Sequence, residues 1–232
     1  VSISKAPKGF NQDDIYPWKY NRALSYLRKP VLEIQHPDGV VYYYWGFRHV
    51  YSAWKHLEYL LFTGKLKARE GGLLASYLSK INAEKGKAFR NQMAKWLTEN
   101  SSLKIIPYEV KINPTGHLIA DKDLGDVDIL AIDEEQKIVY SIECKNTVGA
   151  RVIHEMKTEL ENYFGRDGKP GKIQKHVERD KWLRNNTQLL AQYVLNQENY
   201  EVRSIVLASN ELPVAYLTKH QSPLPIVSFQ KL

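Results

Sequence analysis

The stretch Leu124–Thr147 constrains this chain more than any other, because it places charges inside two runs that are otherwise almost wholly apolar. The first run is Leu124-Gly125-Asp126-Val127-Asp128-Ile129-Leu130-Ala131-Ile132. Asp133-Glu134-Glu135-Gln136-Lys137 then leads into the second, Ile138-Val139-Tyr140-Ser141-Ile142-Glu143-Cys144-Lys145-Asn146. Near-continuous apolar runs rich in β-branched residues are typical of strands covered on both faces. The spacing therefore predicts two neighbouring buried strands joined by a tight turn. Buried charges are costly unless paired or coordinated, so Asp128, Glu143 and Lys145 require a reason to be there.

Strand alternation supplies one. Glu143 and Lys145 share a face while Cys144 points the other way, and Asp126 and Asp128 share a face of the preceding run. If the strands pair, Asp128 and Glu143 become close neighbours, and two such like charges are tolerable only with a cation between them. Oxygen ligation with few protein ligands suits Mg²⁺, which keeps several waters and shares phosphate oxygens with a substrate. The competing reading is an edge hairpin with solvated charges, and the apolar Leu130, Ile132 and Ile142 argue against it.

Gly125-Asp126-Val127-Asp128, followed fifteen positions on by Glu143-Cys144-Lys145, resembles the signature of the PD-(D/E)XK nuclease superfamily, with Val127 where that motif has Pro. The likeness covers roughly residues 80–210 and leaves the first seventy or so unexplained. It implies that Asp128 and Glu143 bind the metal, that the Cys144 carbonyl assists, and that Lys145 orients the attacking water or stabilises charge. In that family the helix before the sheet often adds a Glu, but Arg90 stands at the corresponding position here. Glu84, on the stripe of Ala88 and Gln92, is the candidate replacement, set against an ordinary surface Glu near a helix start. A helix following the Glu-x-Lys strand commonly flanks the active site in this fold. Lys172, Lys175, His176 and Arg179 are therefore the expected nucleic-acid contacts, set against a solvated face shared with Glu178 and Asp180.

Elsewhere the chain reads as an arm over residues 1–30 ending in a short helix, Lys19–Arg28, then a hairpin around Pro37-Asp38-Gly39. Its tyrosines invite base stacking, although aromatic packing beneath a neighbouring helix is the favoured reading. A helix over His49–Phe62 follows, then the basic Lys65, Lys67 and Arg69, and Gly71-Gly72 as a boundary between an N-terminal region, 1–71, and a core domain, 72–232. The core is expected to hold a helix over Leu73–Glu99 that breaks near Gly86 and a strand over Leu103–Asn113 distorted at Pro107. Helices over Arg151–Phe164 and from Ile173 to about Asn196 should flank a mobile basic loop, with strands at Glu201–Ser209, Val214–Leu217 and Ile226–Phe229. The fold class is thus α/β: a mixed central sheet flanked by helices, with a restriction-endonuclease-like αβββαβ core and a smaller N-terminal α+β region.

A net charge of +7 suggests a polyanionic partner, and no apolar run nears the length needed to cross a bilayer. A single cysteine excludes an internal disulfide framework and fits a reducing, cytoplasmic setting. Lys5, Pro7, Lys8 and Asp13-Asp14 break any secretory signal, while the start at Val1 suggests a piece of something longer; the expected partners are nucleic acid and a larger assembly or a homo-oligomer. The expected activity is Mg²⁺-dependent endodeoxyribonuclease cleavage, with Mn²⁺ as substitute ion. The alternatives are a non-cleaving nucleic-acid-binding module and a nuclease subunit active only within an assembly.

Overall fold

The computed structural model describes residues 29–64, 66, 68–195, 200–218 and 222–231. The expected N-terminal arm and short helix, together with Lys65 and Lys67, lie outside them. The chain forms two compact units, one running to Ala83 and including Val152–Glu155, the other comprising Glu84–Arg151 and Met156–Leu232. The division falls within the long helix that follows Gly71-Gly72, rather than at those glycines.

In the first unit, strands β1 (Val31–Gln35) and β2 (Val41–Trp45) pair antiparallel with Val31 opposite Trp45. The connecting turn is closed by Asp38, whose Oδ1 accepts the Val40 N–H at 2.8 Å, and Gly39 takes φ +84°. Helix α1 (Phe47–Phe62) follows the expected 3.6-residue spacing, yet none of its residues is buried. Helix α2 (Leu73–Asn100) continues through Gly86 without a break.

The second unit is built on a mixed five-stranded sheet. Its strands are β3 (Lys104–Ile105), β7 (Ile129–Asp133), β8 (Ile138–Lys145), β11 (Glu201–Ala208) and β12 (Ile226–Ser228), in the order β12-β11-β8-β7-β3. β11 runs parallel to β8 and β12, while β7 runs antiparallel to β8 and β3. A three-stranded sheet, β5-β4-β6, is formed by β4 (Val110–Asn113), β5 (Leu118–Ile119) and β6 (Gly125–Val127). The run expected as one strand over Leu103–Asn113 is thus split between the two sheets, and so is the run from Leu124 to Ile132. Pro107, which lacks an amide proton for a ladder, lies in the first gap.

Both faces of the large sheet are covered, which is why its strands are apolar throughout. Ile129, Ala131, Ile142 and Cys144 pack with Phe89, Met93 and Leu97 of α2. Leu130, Ile132, Val139 and Val202 pack on the other side with Leu183 of helix α4 (Lys172–Asn185) and Leu190 of the 3-10 turn Thr187–Gln192. Helix α3 (Ile153–Phe164) precedes a two-residue ladder, β9 (Gly165–Arg166) with β10 (Lys169–Pro170). The segment expected as a loose loop is therefore a tight hairpin. Val214–Leu217, expected as a strand, belongs to the short helix α5 (Pro213–Leu217) with Pro at its start, where a missing N–H is harmless.

Leu130 is fully buried between helices and sheet. Leu130→Ala should cost about 2–5 kcal/mol, read as a lower urea midpoint. Leu195→Ala, at a side chain 75% exposed, should change stability by less than about 0.5 kcal/mol.

Candidate active site

The site begins where one strand becomes two. β6 ends at Val127 and β7 starts at Ile129, so Asp128 is the residue at which the chain passes from the small sheet to the large one. Ile129 pairs with Ile142, and one further step along the register sets Asp128 against Glu143. The Cys144 N–H donates to Asp128 Oδ2 at 2.7 Å, a side chain taking a strand amide where the ladder stops. Because Ile142 and Cys144 face α2, Glu143 and Lys145 face α4.

There they border an open cleft of about 500 Å³. Its walls carry Asp128, Glu143 and Lys145 from the strands, Lys175, His176 and Arg179 from α4, and Lys111, Asn113, Asp123 and Asp126 from the small sheet and its loops. Gly125 lies against the ends of two side chains of α4. Its φ is +77°, and a Cβ there would stand 3.0 Å from the Lys175 side chain and 3.1 Å from Arg179 Nη2. Asp123 fixes the turn by accepting the Gly125 N–H at 2.7 Å.

Glu143 is the most heavily bonded member. Lys145 Nζ donates to its Oε1 at 2.6 Å, and Arg179 Nη1 to its Oε2 at 2.9 Å. Arg179 is itself buried and anchored through Nε to the Leu124 carbonyl at 3.1 Å. Burial alone would raise the Glu143 carboxyl, but Lys145, His176 and Arg179 hold it below the ordinary carboxylate range. Asp128 goes the other way. Burial and the neighbouring Glu143 charge push it up to about 6, against the opposing pull of the Cys144 N–H and Lys145. The two carboxylates thus divide their roles, with Glu143 keeping its charge and Asp128 taking the first proton.

His176 Nδ1 lies 3.3 Å from Glu143 Oε2 without the alignment of a hydrogen bond. Burial lowers its pKa to about 4, so the imidazole is neutral at pH 7. Of the four basic residues expected to meet nucleic acid, Lys175, His176 and Arg179 line the cleft, but only Lys175 is an exposed cation. Lys172, in the first turn of α4, is exposed and does not line it. Glu84 is exposed on α2 and likewise does not line the cleft. At the position where a helix carboxylate was sought, Arg90 donates from Nε to the Asp128 carbonyl at 3.0 Å and lies 3.5 Å from Glu109 Oε1. Among the described residues, no group of three or more His, Cys, Asp or Glu side chains is arranged to hold a metal.

On the small-sheet wall Asp126 is the supporting residue expected on the Asp128 face, whereas Lys111 and Asn113 were not foreseen. Lys111 and Asp126 are direct cross-strand partners and both reach the cleft. Their signal was visible: Lys111 is a lone charge between the buried Val110 and Ile112.

The fold and site together define a mixed α/β protein with a paired-carboxylate, cation-rich cleft at strand ends. The chain belongs to the family described as "Anti-phage protein Upx-like", which it matches over residues 2–222. No curated protein and no solved structure matches it. Among the described residues, no helix is long and apolar enough to cross a membrane.

The raised Asp128 pKa has a definite sign. Below about pH 4 the group is protonated in both folded and unfolded chains. As pH rises toward 6 the unfolded chain ionises first, and above about 6 the folded protein bears the whole cost. Asp128→Asn should therefore stabilise the metal-free protein at pH 8 by on the order of 1–3 kcal/mol, a gain that disappears below about pH 4. Urea denaturation in a chelator across this pH range measures it.

Proposed function

We propose that this protein is a Mg²⁺-dependent nuclease of the PD-(D/E)XK type, hydrolysing phosphodiester bonds of nucleic acid, with DNA the foremost substrate, in anti-phage defence. The observation that carries this reading is the convergence of Asp128, Glu143 and Lys145 on one cleft wall, with Asp128 disfavoured as an anion beside Glu143. The family description, anti-phage, is compatible with it.

The donor set suits such an ion. Asp128 uses Oδ2 for the Cys144 N–H, and the repulsion that raises its pKa is what a divalent cation relieves. Two carboxylates are few, and Mg²⁺, or Mn²⁺ in its place, completes its shell with waters and phosphate oxygens. Asp128 and Glu143 would hold the ion, with the Cys144 carbonyl as a further oxygen. Bound there, it would supply Lewis-acid polarisation of a phosphoryl oxygen and a more acidic water.

The chain's own residues do the rest. Lys145 offers an ammonium in a partly desolvated wall, where it neutralises charge that develops on the phosphate. Arg179, fixed on Leu124, holds Glu143 in place and ionised. Lys175 and Lys111, exposed on the cleft, suit contacts to neighbouring phosphates that fix register.

One observation favours a second reading, a nucleic-acid-binding module that does not cleave. Both Glu143 oxygens are already met by Lys145 and Arg179, so side-chain cations meet part of the need for a metal.

Linear, circular, branched and single-stranded substrates incubated with Mg²⁺, Mn²⁺ or EDTA decide between them. Asp128→Ala and Lys145→Ala should each lower the metal-stimulated rate by about 10²-fold or more while binding in EDTA is kept. Parental cleavage by both variants would overturn the assignment. Binding without cleavage across every ion and substrate would support the second reading.

A further inference from the structure

Among the described residues that line the cleft, Arg179 is the buried cation. Its guanidinium donates from Nε to the Leu124 carbonyl at 3.1 Å and from Nη1 to Glu143 Oε2 at 2.9 Å. Its Nη2 stands so near Gly125 that a Cβ there would lie 3.1 Å from it. The Arg179 side chain is 6% exposed. Lys145, by contrast, is 30% exposed and reaches Glu143 through one ammonium bond, to Oε1 at 2.6 Å. Parting Lys145 from Glu143 returns a flexible ammonium to water, whereas parting Arg179 from it strands a buried charge. A metal ion drawn to Glu143 would therefore take Oε1, with Arg179 staying on Oε2.

Charge then sets what the cleft can hold. Four cationic and four carboxylate side chains line it, and with His176 neutral their formal charges cancel at pH 7. Oxygen sites hold hard divalent ions more tightly as their ligands carry more negative charge. Carboxylates already balanced by lysines and an arginine offer such an ion little when it comes alone. A phosphodiester brings the missing negative charge. It draws Lys145 and the exposed Lys111 and Lys175 toward itself, and it adds its own oxygens to the ion's shell.

We propose that Arg179 is a positioning residue that serves as the resident counter-charge of Glu143, so that a divalent ion is retained only together with a phosphate of the substrate. The inference rests on the proposed function, because it takes Glu143 as a ligand of the metal. Ion and phosphate binding are then linked, each raising the affinity for the other by the same factor. Removing the Arg179 charge acts in opposite senses on the two. The cleft becomes net negative, so a divalent cation binds more tightly and a polyanion less tightly. Loss of a merely structural support would weaken both.

The test uses the full chain. Binding of Mn²⁺ alone is followed through the electron paramagnetic resonance signal of the free ion. Binding of fluorescent phosphorothioate DNA oligonucleotides, single-stranded and duplex, is followed by anisotropy in EDTA or in Mn²⁺. Arg179→Met should bind Mn²⁺ about 10-fold or more tightly than the parent, and the oligonucleotides in EDTA several-fold more weakly. Arg179→Lys, which restores the charge, should return both toward parental values, and circular dichroism should show both variants folded. In the parent, Mn²⁺ should raise oligonucleotide affinity by about 5-fold or more. This last measurement needs no variant, so it decides even where Arg179→Met fails to fold. Mn²⁺ binding by folded Arg179→Met no tighter than the parent's, or parental oligonucleotide affinity that Mn²⁺ leaves unchanged, overturns the inference, while cleavage of ordinary DNA by the parent leaves the nuclease standing. Tighter Mn²⁺ binding by Arg179→Met with no cleavage by any protein does the reverse, and Mn²⁺ bound by none of them removes both.

Discussion

A single hydrogen bond, from the Cys144 amide to Asp128 Oδ2, ties the geometry of the cleft to the sheet. Ladders demand that each strand amide find an acceptor, and at the point where β7 gives way to β6 the backbone stops providing one. The carboxylate of Asp128 fills that need. Its position is consequently set by main-chain requirements rather than by side-chain preference. Glu143 and Lys145 follow automatically, because residues flanking Cys144 must project to the other face. The turn at Gly125 then meets α4, whose Arg179 bonds Glu143 on one side and the Leu124 carbonyl on the other.

The electrostatics of the cleft show how unlike two nearby carboxylates can become. Glu143 is bonded by Lys145 and Arg179, so its burial is offset by opposite charge. Asp128 has one amide donor and a like-charged neighbour, so its burial is not. A site with such an imbalance stores unfavourable free energy in the empty protein, a common property of groups arranged for binding rather than for stability. Arg90 belongs to the same balance, because its guanidinium meets the Asp128 carbonyl and lies near the Glu109 carboxylate that adds to the repulsion on Asp128.

Much of this was legible in the order of residues. The apolar runs around Asp128 and Glu143 announced strands covered on both sides, and the mixed five-stranded sheet flanked by helices has that form. The period-two rule correctly put Glu143 and Lys145 on one face and Cys144 on the other. What could not be read was the switch between sheets. A continuous apolar pattern carries no mark of which ladder each half joins, so Leu103–Asn113 and Leu124–Ile132 read as single strands. Val214–Leu217 misled for a related reason: a β-prone composition of four residues is overruled by Pro213 at a helix start. Glu84 was chosen for its helical stripe with Ala88 and Gln92, and Lys172 for its nearness to His176 and Arg179; neither lines the cleft. The exposure of the hairpin rings was equally invisible, because periodicity locates an apolar face without saying whether anything covers it.

The one thiol in the molecule sits beside the site without taking part in its chemistry. Its sulfur is buried among Phe89, Met93 and Leu207, and burial pushes its pKa well above that of an ordinary cysteine. Alkylating reagents can therefore reach it only when the packing of α2 on this corner of the sheet transiently opens. The rate of Cys144 labelling is thus a native clock for the packing of α2 behind the site, requiring no engineered probe.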